Sequence, residues 1–210
     1  MSIVNELASS QGRRDEAPNE QLAAKIAASE DVSAVEELVA LLDSKKKNLQ
    51  NDSIKVLYEI GAMKPILIVK YIPVFLKMLG SKNNRLQWGA MAALDTVTTT
   101  SAAEIYDAFP GIVEAAEKGS VITKDSAVNI FIKLCKTPGF TGNVFPLLIE
   151  QLHKSPTNQL PMYAERALPV IRKENQELFI KTIRVRLHEI DKESKRKRVE
   201  KVIQKAAKIN

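Results

Sequence analysis

A single cysteine, Cys135, excludes an intramolecular disulfide and fits a reducing compartment. Aromatic residues make up only 5% of the chain and glycine only eight positions, too few for the many tight hairpins of a sandwich or barrel. Two histidines and one cysteine supply no familiar zinc spacing, so no metal and no cofactor is expected. The P-loop, the dinucleotide fingerprint and the nucleophile elbow are all missing. His153 and His188 stand apart, and Cys135 reads as a small core residue rather than a nucleophile. The longest apolar stretch, Pro65 to Leu79, is interrupted by Lys70, Pro73 and Lys77, which excludes a membrane span. Residues 1–20 hold no apolar run of signal-peptide length, and the expectation is a cytoplasmic protein.

What is present is a repeat. Ser53, Ala90, Ala127 and Ala164 form one column at a spacing of 37 residues. Leu57, Leu94, Phe131 and Leu168 form a second, and Ile60, Val97, Leu134 and Ile171 a third. Small, large, large at i, i+4 and i+7 is one face of a helix, and a period between 20 and 50 residues is the mark of a solenoid. The periodicity predicts helix pairs at 32–43 with 46–61, 65–79 with 83–99, 102–118 with 121–136, and 142–153 with 157–172. A more polar fifth pair follows at 174–190 and 192–208, as befits a terminal cap. Residues 1–17 read as a partly ordered leader, and 18–210 as one repeat domain, with Asn19 as the expected cap of its first helix. Gly80-Ser81 and Gly119-Ser120 read as helix stops and starts.

Three prolines recur at one phase, in Ile72-Pro73, Phe109-Pro110 and Phe145-Pro146, and predict kinks within the first helix of each pair. With the run Ile72-Pro73, Leu76, Leu79, Arg85, Ala90, Ala93-Leu94 and Val97, the chain resembles the HEAT-repeat family and its armadillo-type relatives over about residues 32–172. Asp43 and Arg85 are the sole representatives of an aspartate and an arginine common in such repeats. The resemblance implies an all-α, right-handed α-α superhelix of about five helix pairs whose inner helices line a concave binding surface.

On the arc opposite the buried columns lie Asn48, Asn51, Lys55 and Tyr58. The corresponding residues are Arg85, Trp88, Ala92 and Asp95 in the next unit, then Ile122, Asp125, Asn129 and Ile132, then Gln159, Met162, Arg166 and Pro169. Trp88, the one tryptophan, leads the candidate anchors, with Arg85, Tyr58, Lys55, Asp95, Asp125, Asn129 and Arg166 beside it. The expected role is a non-enzymatic scaffold that binds a macromolecular partner, first of all another protein.

Charge raises an alternative. Residues 1–180 carry 20 Lys and Arg against 21 Asp and Glu, whereas residues 181–210 carry 11 against 4. The run Lys195, Arg196, Lys197 and Arg198 therefore marks a candidate nucleic-acid contact on the last helix. A second alternative comes from resemblance to the alkylpurine DNA glycosylases, HEAT-like proteins of similar size. In that reading Asp95 or Asp125 would stabilise a cationic glycosyl transition state beside Trp88 and Tyr58.

Overall fold

The computed structural model describes residues 2–209, and every regular element among them is helical. The chain divides into two compact units, Met1–Ala127 and Val128–Asn210, with the boundary inside one helix.

The first unit opens on two 3-10 turns, Ile3–Glu6 and Ala8–Gln11, which bury Ile3, Leu7 and Ala8. Helix α1 (Ala17–Ser29) starts two residues before Asn19, so Asn19 is not its cap. Its side chain is fully buried instead. It accepts from the Ala8 amide at 3.0 Å and donates to Asp52 Oδ1 at 3.1 Å, tying the N-terminal turns to the repeats. Helix α2 (Val32–Leu41) is capped by Asp31, which accepts from the Ala34 amide, and packs on α3 (Lys47–Met63).

The second repeat shows why its prolines recur. Pro65–Leu67 and Val69–Tyr71 are 3-10 turns, and α4 (Ile72–Met78) begins only at the Ile72-Pro73 pair. Helix α5 (Asn84–Val97) follows, capped by the Asn83 side chain. In the third repeat α6 (Ala102–Asp107) stops at Ala108, whose ψ of 0° breaks the ladder, and α7 (Phe109–Lys118) starts with Pro110 in its first turn. Pro73 and Pro110 thus begin helices rather than kink them. A proline there gives up an amide that the helix start leaves unpaired in any case. Of the three recurring prolines, Pro146 alone lies in the interior of a helix. The third repeat thus has three helices, as armadillo repeats do, whereas α2 with α3 is a pair, as in HEAT repeats. Ser120 accepts from the Thr123 amide at the start of α8 (Val121–Cys135), as the sequence predicts. Ser81 instead sits three residues before its helix and accepts from the amide of the capping residue, Asn83.

The second unit takes over within α8 and holds α9 (Thr141–Lys154), α10 (Leu160–Ala167), α11 (Lys173–Arg184) and α12 (Glu193–Ala206). Helices α10 and α11 pack on α12, and α9 packs on α11. The C-terminal helix is therefore docked, with Val199, Val202, Ile203 and Ala206 buried.

The 37-residue columns are the core. Ser53, Ala90, Ala127 and Ala164 are buried, as are Leu57, Leu94, Phe131, Ile60, Val97, Leu134 and Ile171. Each large member contributes roughly 1.5–3 kcal/mol by leaving water. Leu168 alone is half-exposed, because α10 ends at Ala167 and Leu168–Val170 is a 3-10 turn. Gly89 lets α5 approach α3: a Cβ there would stand 2.7 Å from the Ile54 side chain.

Candidate functional site

In the first unit, α3 and α5 bring four of the anticipated residues together. The Tyr58 and Trp88 rings lie 5.9 Å apart and tilted by 47°. The Arg85 guanidinium stands over the Trp88 ring at 5.5 Å, and Lys55 Nζ over the Tyr58 ring at 5.1 Å. Trp88 is half-exposed, held by its neighbours with part of its ring surface open.

Neither cation of this cluster is free. Arg85 pairs with Glu16, just before α1. Lys55 is only 7% exposed, so its ammonium does not project into solvent as its position on the outward arc suggests. It donates to Glu59 Oε1 at 2.5 Å and to Glu20 Oε1 at 3.1 Å. Burial disfavours the Lys55 ammonium, but the hydrogen bonds to Glu59 and Glu20 outweigh it and hold the pKa above the ordinary lysine value. Burial, opposed by Lys55, likewise raises the Tyr58 phenol.

Asp95 lies further along α5 and Asp125 on α8, both half-buried. Asp125 stands one repeat after Trp88 in the same column. Ile132, placed on the outward arc by spacing, is only 5% exposed and belongs to the core. Around Trp88, Glu16, Glu20 and Glu59 meet Lys55 and Arg85, three carboxylates to two cations. Glu16 and Glu20 lie at the start of α1, outside the repeat columns, so no spacing in the sequence points to them.

In the second unit Arg166 donates to Asn129 Oδ1 at 3.1 Å, joining two anticipated residues one repeat apart. The basic run of α12 is largely engaged within the fold. Lys195 reaches Asn158 at 2.7 Å, and Arg196 donates to the Ile190 carbonyl at 2.9 Å. Lys197 pairs with Glu193 at 2.6 Å, and Arg198 forms a two-pronged pair with Glu165 at 2.8 and 2.6 Å. Burial raises the Cys135 thiol to about 12, so it is not a thiolate at neutral pH. No cluster of three His, Cys, Asp or Glu side chains suited to a metal occurs among the described residues, and no helix among them is long and apolar enough to cross a membrane.

No protein-family model and no curated protein matches the sequence. Solved structures do match its fold. An engineered protein aligns with 99% of this chain and 97% of its own at a TM-score of 0.66 and 18% identity. A designed armadillo repeat protein in complex with the peptide (KR)4 aligns over 91% of each chain, with a TM-score of 0.68 and 14% identity. The fold is an armadillo-type α-solenoid. Computationally designed armadillo repeat proteins for modular peptide recognition align over 92% of each chain at a TM-score of 0.62 and 15% identity. Such folds build binding surfaces from stacked inner helices.

Proposed function

We propose that the protein is a non-enzymatic scaffold or adaptor whose α3–α5 face binds an extended, basic segment of a partner protein, with Trp88 as the anchor. The carrying observation is the half-exposed Trp88 ring, fixed between Tyr58 and Arg85. An aromatic ordered before binding loses little freedom on contact, which is what an interface anchor requires. Charge supports a basic partner: Glu16, Glu20 and Glu59 already hold Arg85 and Lys55 and outnumber them three to two. The structurally similar designed protein carrying a (KR)4 peptide supports the same class of ligand.

The base-excision reading finds little support on this face. Duplex DNA binding rests on several lysines and arginines at phosphates, and here both cations already hold carboxylates.

The test is anisotropy of a labelled (KR)4 peptide with the full chain and with Trp88→Ala. Saturable binding that weakens by roughly tenfold or more in the variant supports the reading. Equal affinity of the two chains removes Trp88 as the anchor, and the face with it.

A further inference from the structure

The second unit carries a different surface. Residues 128–210 hold 17 Lys and Arg against 8 Asp and Glu, while residues 1–127 hold 14 against 17. The sequence draws the eye to Lys195–Arg198, yet each of those four side chains has a partner within the unit. The cations left over on α12 are one and two turns further along. Lys201 and Lys205 are exposed and make no ion pair among the described residues.

Arg198, Lys201, Val202 and Lys205 follow at i, i+3, i+4 and i+7, one stripe of the helix. With Glu165 and Leu168 they line an open cavity of about 280 Å3 between α12 and the end of α10. Leu168 is half-exposed here because α10 stops short, so the break in the repeat column supplies apolar floor beside the buried Val202. Glu165 is already held by both prongs of Arg198, so Lys201 and Lys205 stand at the rim without an ion pair of their own among the described residues. Lys205 lies close enough to Glu165 to help hold its carboxyl below the ordinary value, behind the larger effect of Arg198.

We propose that this pocket binds an acidic peptide segment, one aliphatic side chain resting on Leu168 and Val202 and its flanking carboxylates meeting Lys201 and Lys205. The shape favours peptide over nucleic acid. A cavity of roughly 150 Å3 admits a benzene-sized group, so this one admits a single side chain. The phosphate backbone of a duplex offers no aliphatic group to it, and tight duplex binding rests on some 6–10 phosphate contacts rather than two free cations. The site is independent of Trp88 and carries the opposite charge preference.

The experiment uses the full chain and labelled peptides at physiological salt. Glu-Glu-Leu-Glu-Glu is compared with a five-residue all-glutamate peptide and with a short DNA duplex. The pocket predicts that the leucine peptide binds about tenfold tighter than the all-glutamate one. It also predicts that the double variant Lys201→Glu, Lys205→Glu loses that binding while its melting curve stays in place, and that Trp88→Ala leaves it unchanged. Equal affinity for the two peptides overturns the apolar seat. Undiminished binding by the double variant overturns the site, as does duplex DNA that outcompetes the leucine peptide.

Discussion

Lys55 Nζ meets Glu20 Oε1 at 3.1 Å across 35 residues of sequence. The spacing is no accident of one pair. Lys70 reaches Glu36 at 3.0 Å, Lys77 reaches Asp43 at 3.3 Å, and Lys64 pairs with Glu30, each 34 residues back. Asn83 bonds Gln50 at 3.0 Å and Asn51 at 2.8 Å in the same manner. Polar side chains thus join successive repeats outside the apolar columns. The exposed pairs contribute little each, about 0–1 kcal/mol. Lys55 differs because it is buried.

That difference predicts an alkaline signature. The folded pKa of Lys55 lies above its unfolded value, so the stability it contributes is whole below about 10.4 and is lost as pH rises towards the folded value. Thermal melts of the wild-type chain and Lys55→Met between pH 8 and 12 check this. The wild type should lose more of its melting temperature than the variant above about pH 10. Parallel curves would show that Lys55 carries no such linkage.

Arg186 does for the second unit what Lys55 does for the first. Its side chain, 7% exposed in the residue as a whole, donates to the Leu152 carbonyl at 3.0 Å and the Ser155 carbonyl at 2.7 Å. It also grips Glu189 at 3.0 and 2.6 Å. Arg186→Met strips the end of α9 of its buried donors and should cost about 2–4 kcal/mol. Denaturant unfolding reads the loss, and a change below about 0.5 kcal/mol would mean that water replaces the guanidinium freely.

Two glycines should respond in opposite directions. Gly89→Ala drives a Cβ into the buried Ile54 side chain and should destabilise by about 1–2 kcal/mol, overpacking outweighing the better helix former. Gly111 lies in α7 with nothing within 4 Å of a Cβ, so Gly111→Ala should stabilise by about 0.5–1 kcal/mol. Opposite shifts in melting temperature confirm the close α3–α5 approach, and shifts of one sign contradict it.

The repeat architecture was legible because burial imposes period 3.6 within helices and 37 between them, and nearly every column residue proves buried. Leu168 broke the pattern through its own neighbour, Pro169, where α10 gives way to a 3-10 turn. The outer helices read as continuous because apolar periodicity passes unbroken across Ala108 and Tyr71, and only backbone angles reveal the restart at the prolines. Lys55, Tyr58, Arg85 and Trp88 were found together because their helix columns predict it. Glu16 and Glu20 were not, since no periodicity says which distant carboxylate a lysine meets. One signal was there unused: acids at 30, 36 and 43 stand 34 residues before lysines at 64, 70 and 77. The α12 pocket was hidden for a related reason. A run of four basic residues outshines Lys201 and Lys205 in sequence, and only geometry shows the run to be engaged.

Trp88, as the sole tryptophan, is its own reporter. The most direct measurement is its emission spectrum during titration with unlabelled (KR)4 peptide, beside Glu-Glu-Leu-Glu-Glu as the counter-charge control. A Trp88 anchor gives a saturable change in emission with the basic peptide and none with the acidic one. Emission that stays constant while the basic peptide binds would place that binding elsewhere and remove Trp88 as the anchor.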